Sequence, residues 1–319
     1  MTPIKECLIN KSTKHNPIWL MRQAGRYLPE FREIRKKNPN FIELCLNETL
    51  SEVITLQPVE RFDFDAAIIF SDILMIPFGL GQKVDFKKNF GPQLGEIKID
   101  EKLKLNDDSF SKKLKPIYKL LRNLKSSPKL DNKDLIGFVG APWTLLVYMI
   151  NKISPKNGLS KNFFKDEALI KNILNILDRF IKLHVKNQVE SGATIIQIFD
   201  SWAGLINRDF EKFLYEPTIS LVEYTKNLGA SVICFPRNIK DYKIYCDKIK
   251  PDAINIDYNV NIENILNDLT IPIQGGMNPE ILLTDKETLK KEAKRYLDIF
   301  KDHPYIFNLG HGILPNTDP

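Results

Sequence analysis

The stretch DEALIKNILNILDRFIKLHVKNQVESGATIIQIFD, residues 166–200, decides the fold because it joins one helix to one strand. Its first part predicts a helix from Asp166 to Ser191, with Gly192 just past the end. The apolar face of this helix consists of Ile170, Ile173, Leu174, Leu177, Ile181, Val185 and Val189. Its second part, Thr194 to Phe199, is a short β-rich apolar run that predicts a buried strand. The stretch therefore contains one helix–strand unit.

Runs of the same kind recur along the chain, and each is too short for a buried helix. They are Ala66 to Phe70, Leu135 to Val139, Ser231 to Phe235, Ala253 to Ile256, Ile271 to Gln274 and Tyr305 to Leu309. Amphipathic helical segments separate them. Strands that alternate with helices predict right-handed βαβ units and a parallel sheet.

A parallel sheet of this kind is either an open doubly wound sheet or a closed (β/α)8 barrel. A nucleotide-binding open sheet carries a glycine-rich turn, and neither G-x-G-x-x-G nor G-x-x-x-x-G-K-[ST] occurs here. An α/β fold with a single (β/α)8 TIM barrel over residues 1–319 is therefore favoured. We interpret the polar stretch from Glu96 to Asp134 as a surface insertion with one helix, and Thr284 and Glu287 as a capping box.

Composition excludes several classes of protein. The chain has 319 residues and a net charge of +6 but no run of about 18 apolar residues and no secretory signal. We therefore expect a cytoplasmic protein with no membrane partner. The basic residues from Lys112 to Lys125 have helical spacing, which predicts a solvated helix face and no nucleic-acid partner. The four cysteines are scattered, so we expect them to be reduced and to hold no metal.

Polar residues follow four of the predicted strands. They are Ser71-Asp72, Gly140 to Trp143, Asp200-Ser201-Trp202 and Gly310-His311-Gly312. Because the loops after the strands of a parallel barrel meet at one face, we expect these residues to share a site.

A second group of polar residues lies near the N-terminus, where Arg22 and Arg26 flank Gly25. A glycine permits a tight turn or a close approach to a ligand, so both guanidinium groups could enter one site. The alternative is a pair of exposed arginines before a helix that begins near Pro29.

The motifs as a set resemble the uroporphyrinogen decarboxylase family. The matching stretches are PIWLMRQAGRYLPE at 17–30, FSDIL at 70–74, GAPWT at 140–144, FDSWAG at 199–204 and NLGHG at 308–312. They occur in the order of the family and span almost the whole chain. The resemblance implies a (β/α)8 barrel, a homodimer with facing clefts, no metal and no organic cofactor.

The resemblance also implies the site residues. Asp72, Arg22 and Arg26 correspond to catalytic residues, and Arg22, Arg26 and Asp72 also bind the substrate. The other substrate-binding positions are Gln23, Tyr148, Phe199, Ser201 and His311. Members of the family continue with another helix after the histidine loop, whereas this chain ends at Pro319. We therefore expect the last barrel helix to be lacking.

The chemistry that the resemblance implies suits these residue types. The family's tetrapyrrole substrate carries four acetate and four propionate groups, and only the acetates lose CO2. A protonated pyrrole can accept the electrons released, so no cofactor is needed. A carboxylate such as Asp72 can accept pyrrole N–H bonds and stabilise the cation, and arginine forks suit a polycarboxylate. We expect Arg22, or a water molecule that it holds, to donate a proton, and His311 to orient the substrate although its ordinary pKa suits titration.

Two other functions are open. A corrinoid-dependent methyltransferase shares this type of barrel but needs a zinc-binding His-x-Cys pair, and no histidine here lies two residues before a cysteine. A non-catalytic tetrapyrrole carrier would not require both Asp72 and the arginine pair.

Overall fold

The computed structural model describes residues 1–87, 90–97 and 106–319. Its parallel strands are β1 (Ala66–Ile68), β4 (Asp134–Gly140), β5 (Ile195–Asp200), β6 (Ser231–Pro236), β7 (Ala253–Ile256), β8 (Ile273–Gly275) and β9 (Tyr305–Ile306). Strands β2 (Val84–Lys87) and β3 (Gly91–Leu94) form an antiparallel hairpin. All seven predicted strands are confirmed, whereas the hairpin was not predicted from the sequence.

Helices connect the parallel strands and precede the first of them. They are α1 (Pro3–Asn10), α2 (Pro29–Lys37), α3 (Phe41–Cys45), α4 (Glu48–Phe62), α5 (Met75–Gly79), α6 (Asp107–Lys125), α7 (Pro142–Asn151), α8 (Glu167–Glu190), α9 (Glu216–Asn227), α10 (Tyr242–Ile249), α11 (Ile262–Asp268) and α12 (Lys286–Ile299). The predicted helix of the opening stretch is α8, and Asp166 caps it by accepting the Leu169 N–H at 2.8 Å. No helix in the described ranges is long and apolar enough to cross a membrane.

The seven parallel strands form one sheet in the order β1-β4-β5-β6-β7-β8-β9. Side chains from strands that are not neighbours touch each other, which shows that the sheet is curled. Gln274 in β8 donates to Gln197 in β5 at 3.1 Å, although β6 and β7 lie between them. Gln274 also donates to Asn255 at 2.7 Å and accepts from the Trp19 indole at 2.9 Å. These hydrogen bonds link Trp19, Gln197, Asn255 and Gln274 inside the curled sheet, and Gln197 Nε2 is the group of this network that has no partner among the described residues.

A small apolar cluster fills the inner side of the sheet. Its members are Ile4, Cys7, Leu8, Trp19, Met21, Ala66, Ile68, Ile136, Ile195, Ile233, Phe235, Ala253 and Ile306. The larger apolar cluster lies between the sheet and the surrounding helices. Strands whose two faces are both covered need apolar residues throughout, which explains the continuous runs in the sequence.

The interpretation of residues 96–134 as a surface insertion is wrong for α6. This helix buries Phe110, Leu114, Ile117, Leu121 and other residues, and it packs between α4 and α8. It is therefore part of the helical layer between β1 and β4, with its lysines on the solvated face. Residues 98–105 of the same stretch lie outside the described ranges.

The expected capping box before the last helix is also wrong. Asp285, rather than Thr284, caps α12, because its carboxylate accepts the N–H groups of Glu287 and Thr288 at 3.0 and 2.9 Å. The Thr284 hydroxyl donates back to the Ile281 carbonyl at 2.7 Å. A carboxylate next to the first helical residue is the better acceptor for these donors and complements the helix dipole.

Candidate active site

The loops after β1, β4, β5 and β9 carry most of the predicted site residues. Asp72 lies four residues after β1, and Tyr148 lies in α7, which follows β4. Ser201 directly follows β5, and His311 lies in the loop after β9. All of these positions belong to the carboxyl end of a parallel sheet, where barrel enzymes place their reactive groups.

The loop that carries Arg22 is bound to the loop after β9. The Met21 N–H donates to the Asn308 side chain at 2.9 Å, and the Ile313 N–H donates to the Met21 carbonyl at 2.9 Å. The Arg22 side chain lies over Gly312, where an added Cβ would be 2.3 Å from Arg22 Cδ. Gly312 therefore provides the space in which the Arg22 side chain crosses the loop.

Arg22 has a left-handed backbone conformation with a φ of 63°. This conformation is unfavourable for a residue with a Cβ atom, so the surrounding structure must hold it in place. Gly25 has no positive φ, and its role is to permit a close approach, since a Cβ there would lie 2.9 Å from the Arg22 carbonyl. Helix α2 begins at Pro29, as expected, and Arg22 and Arg26 are both exposed before it.

Asp72 is the acidic group of this site. Its carboxylate accepts the Leu74 N–H at 2.8 Å. Burial raises the pKa of Asp72 to about 6, while the Leu74 bond and the positive charge of Arg22 act in the opposite direction. Asp72 is partly accessible to water.

Tyr148 lies near both charged groups. It is only 8% exposed, and its ring makes an edge contact with Trp202 at a centroid distance of 5.9 Å. Burial raises the pKa of Tyr148, and the negative charge of Asp72 adds to this effect while Arg22 opposes it. The hydroxyl therefore stays protonated at neutral pH and can donate a hydrogen bond.

We call the region at the carboxyl end of the sheet that contains Arg22, Asp72, Tyr148 and His311 the mouth. Hydrogen bonds join the loops after β4 and β5 to each other beneath it. The Thr144 hydroxyl donates to Asp200 at 2.6 Å and accepts the Trp202 N–H at 3.1 Å. The Trp143 indole donates to the Trp202 carbonyl at 2.8 Å. These bonds position Tyr148 and Ser201 relative to one another.

Phe199 and Ser201 lie at the carboxyl end of β5, which is the same end of the sheet as Tyr148. The Phe199 ring is partly buried and packs edge-on against Phe138 at a centroid distance of 5.6 Å. Ser201 is partly exposed. Phe199 therefore gives this part of the mouth an aromatic wall, and Ser201 gives it a hydroxyl group.

Gln23 does not face the mouth with the other predicted residues. Its side chain is fully buried, accepts the Leu20 N–H at 3.1 Å and donates to the Ala66 carbonyl at 3.0 Å. Because both ends of the amide are occupied, Gln23 holds the arginine loop against β1.

His311 does not have the ordinary pKa that was expected from the sequence. Burial lowers the pKa of His311 to about 4, and the positive charges of Arg22 and Arg237 contribute to this lowering. The imidazole is therefore neutral at physiological pH. A neutral ring retains one N–H donor, which agrees with an orienting role better than with a role as an acid.

Arg237, which was not predicted from the sequence, also acts on these groups. It follows β6 directly, and its charge lowers the pKa of both Arg22 and His311. The pKa of Arg22 is lowered first by desolvation of its guanidinium, although the residue as a whole is exposed, and then by the charges of Arg237 and Arg26, while Asp72 opposes them. The structure thus brings Arg22, Asp72, Tyr148, His311 and Arg237 into electrostatic contact.

Comparisons with known proteins identify the family of this chain. Residues 2–319 match the family model described as uroporphyrinogen decarboxylase (URO-D). A uroporphyrinogen decarboxylase of Rickettsia bellii is 41% identical, and the match covers 100% of this chain and 94% of the relative. Another, from Wolbachia sp. subsp. Brugia malayi, is 42% identical, and the match covers 96% of this chain and 89% of the relative.

A solved structure of a methyltransferase from Methanosarcina mazei has a similar fold. The TM-score is 0.77, and the match covers 98% of this chain and 93% of that chain at 15% sequence identity. This identity supports a shared fold only. The motifs, their positions around the mouth and the family match together show that the chain belongs to the uroporphyrinogen decarboxylase family.

Proposed function

We propose that this chain removes the carboxyl groups of the four acetate side chains of uroporphyrinogen to give coproporphyrinogen in tetrapyrrole biosynthesis. The family match and the relatives support this activity. The observation that carries it is the position of Asp72 beside Arg22 and Tyr148 at the carboxyl end of the sheet. One anionic group among cations suits a substrate that has cationic reaction states and many carboxylates.

The reaction uses the pyrrole ring as its own electron acceptor. A proton adds to the ring carbon next to the one that bears the acetate, and the ring becomes cationic, with part of the charge on the acetate-bearing carbon. The bond to the carboxylate then breaks, CO2 leaves, and the electron pair neutralises the ring while an exocyclic methylene forms. A second proton converts the methylene to methyl, and the ring carbon loses its proton. Each cycle consumes one proton and releases one CO2.

Asp72 stabilises the cationic states in this scheme. Its carboxylate can accept pyrrole N–H bonds, and its charge opposes that of the protonated ring. Arg22 and Arg26 bind substrate carboxylates, and the Tyr148 and Ser201 hydroxyls and the neutral His311 donate further hydrogen bonds. Phe199 packs against the macrocycle, and Gln23 positions the arginine loop.

Arg22 is the proposed source of the proton, directly or through a water molecule. An ordinary guanidinium is a poor acid. Desolvation of the guanidinium and the charges of Arg237 and Arg26 lower the pKa of Arg22, although the residue is exposed, and this shift is in the direction that proton donation requires.

Anaerobic incubation with uroporphyrinogen tests the proposed activity. We expect a product with four fewer carboxyl groups, counted by mass spectrometry, together with four molecules of CO2. A heat-denatured sample provides the control. Tight binding of an unchanged macrocycle would instead identify a carrier.

The activity should depend on pH through Asp72. Its carboxylate must be ionised, and its pKa is about 6. We therefore expect kcat/KM, which reports groups of the free enzyme, to fall as the pH decreases through about 6. His311→Asn is the matched control, because the pKa of His311 is about 4. The variant should lose activity modestly and keep the same acidic limb, and a displaced limb would assign the titration to His311.

We further propose that residues 17–19 occupy the eighth strand position and close the barrel, so that residues 1–319 form one domain. Ile18 bridges Phe307 in parallel, and the Phe307 N–H donates to the Pro17 carbonyl at 2.8 Å. On the other side, the Asp65 N–H donates to the Ile18 carbonyl at 2.9 Å, and the Ile18 N–H donates to the Asp65 carboxylate at 2.7 Å. This segment thus touches both edges of the seven-stranded sheet.

Amide hydrogen exchange tests the closure. The N–H groups of Ile18 and Phe307 should exchange about as slowly as those in the middle of β5, because all of them would open only with the barrel. Exchange of Ile18 at the rate of an exposed loop would contradict closure. The family resemblance also supports a cytoplasmic homodimer, which we propose on that basis alone.

A further inference from the structure

Arg237 is held at the mouth by its backbone. Its N–H donates to the Asp200 carbonyl at 3.0 Å, and its carbonyl accepts the Gly204 N–H at 2.9 Å. Asp200 is the last residue of β5, and Arg237 directly follows β6. The position of Arg237 is therefore set by the pairing of two central strands, which is a rigid place for a binding group.

The side chain of Arg237 is oriented by Asp257, the residue after β7. Arg237 Nε lies 3.4 Å from Asp257 Oδ1. Asp257 is only 1% exposed, and its Oδ2 also accepts the Asn238 N–H at 2.6 Å and the Tyr242 hydroxyl at 3.1 Å. Asp257 is thus fixed from two further directions and can hold the guanidinium in one orientation.

The single long contact with Asp257 leaves the two terminal amino groups of Arg237 free to bind. In the described ranges, no protein acceptor lies within hydrogen-bond distance of either group. The guanidinium fork is suited to a carboxylate, which it binds through two parallel bonds. The side chain is 23% exposed, so a ligand can reach it.

The cationic groups of the mouth repel one another in the free protein. Arg237 and Arg26 both act against the charge on Arg22, and Asp72 is the anion that opposes them. A polyanionic ligand would relieve this repulsion. The substrate of the proposed function carries eight carboxylates, more than Arg22 and Arg26 can bind.

We propose that Arg237 is a third carboxylate-binding residue of this site and that Asp257 positions it. The inference rests on the proposed function, since the carboxylate that Arg237 binds belongs to the macrocycle. Arg237 binds the same carboxylate in the ground state and in the transition state, because it does not touch the reacting carbon. Its contribution is therefore to affinity rather than to the chemical step.

Steady-state kinetics of Arg237→Gln test this role. We expect KM for uroporphyrinogen to rise about tenfold to one hundredfold, the loss typical of a hydrogen bond to a charged group, with kcat changed less than about threefold. Asp257→Asn should raise KM by a smaller factor, because Arg237 remains but loses its orientation. Arg237→Lys should restore part of the affinity. Arg295→Gln, an exposed arginine of α12, is the matched control and should leave both constants unchanged.

A second measurement does not use the substrate. The pKa of His311, measured by NMR in the free protein, should rise in Arg237→Gln, because one of its two neighbouring cations is gone. An unchanged His311 titration would show that Arg237 does not face the mouth and would overturn the proposal. A raised pKa with an unchanged KM would also overturn it. If Arg237→Gln does not fold, Arg237→Lys decides the matter, since an unchanged KM in that variant contradicts carboxylate recognition by the fork.

These outcomes differ from a failure of the proposed function itself. If the unmodified protein did not decarboxylate uroporphyrinogen, the kinetic measurement would have no substrate. The NMR measurement would still show whether Arg237 faces the mouth. Binding of coproporphyrinogen, detected by fluorescence quenching, then measures the affinity for a four-carboxylate macrocycle directly. No loss of that affinity in Arg237→Gln would reject the carboxylate-binding role.

Discussion

Replacing Asp72 with alanine should reduce kcat for uroporphyrinogen by about a thousandfold or more. Loss of one preorganised electrostatic partner commonly costs two to three orders of magnitude, about 3–4 kcal/mol. Asp72 is the anion acting on Arg22 and Tyr148, so its removal would leave a cationic pyrrole beside Arg22 without that negative charge. Single-turnover release of CO2 under anaerobic conditions gives the measurement.

Asp72→Asn separates charge from shape. An asparagine can still accept the Leu74 N–H, so the loop should keep its structure while turnover falls nearly as far as in alanine. Asp298→Ala, at an exposed position in α12, should retain full activity. Turnover within tenfold of the unmodified enzyme in Asp72→Ala would remove this aspartate from the mechanism.

The stability of Asp72→Asn provides an independent check. The folded-state pKa of about 6 lies above the unfolded value near 3.8, so the folded state holds the proton more tightly. The carboxyl therefore favours folding at low pH, and this contribution is lost as the pH rises from about 4 to 6. Asp72→Asn should be at least as stable as the unmodified protein at pH 7. A loss of turnover together with an unchanged or higher stability would indicate that Asp72 serves catalysis at some expense of stability.

Replacing Arg22 with glycine should lower kcat/KM about one hundredfold to one thousandfold without lowering the melting temperature. The guanidinium provides charged hydrogen bonds to the substrate and the proposed proton, so its loss affects both binding and chemistry. The backbone φ of 63° costs about 1–2 kcal/mol for a residue with a side chain, and glycine removes that cost. Calorimetry and steady-state kinetics on the same preparation give both values.

Lys11→Gly is the matched control for Arg22→Gly. Lys11 has a φ of 50° at the end of α1 and is exposed, so glycine relieves a similar backbone strain outside the site. We expect an unchanged activity and an unchanged or raised melting temperature. If Arg22→Gly kept full activity, or unfolded many degrees earlier than the unmodified protein, Arg22 would be a structural residue.

The strands could be predicted from the sequence because each buried strand is a continuous apolar run between polar loops. The β2–β3 hairpin lacks that signal, since Gly91, Pro92 and Gln93 make its second strand short and polar. Helix α6 was misjudged because its many lysines conceal the apolar residues of its inner face. Its packing against α4 and α8 depends on tertiary contacts that local composition does not contain.

Tertiary contacts also limited how much of the site could be predicted from the sequence. Asp72, Arg22 and His311 lie in recognisable motifs, whereas Arg237 is an isolated arginine whose partner Asp257 directly follows the next strand. The location of Arg237 just beyond the Ser231 to Phe235 run is the signal that could have identified it. The pKa of His311 could not be foreseen, because it depends on burial and on two cations from distant parts of the chain. The role of Gln23 likewise depends on a bond to Ala66 across the fold.

The hydrogen bonds of Met21 to Asn308 and Ile313 also determine how late in synthesis and folding the enzyme becomes active. Met21 and Asn308 lie 287 residues apart, so the two segments can meet only after the ribosome has released the chain as far as Ile313. Contacts of such long sequence separation form late, because a large loop has to close. During refolding, helical content should return first, and turnover should recover only when the two distant segments have docked.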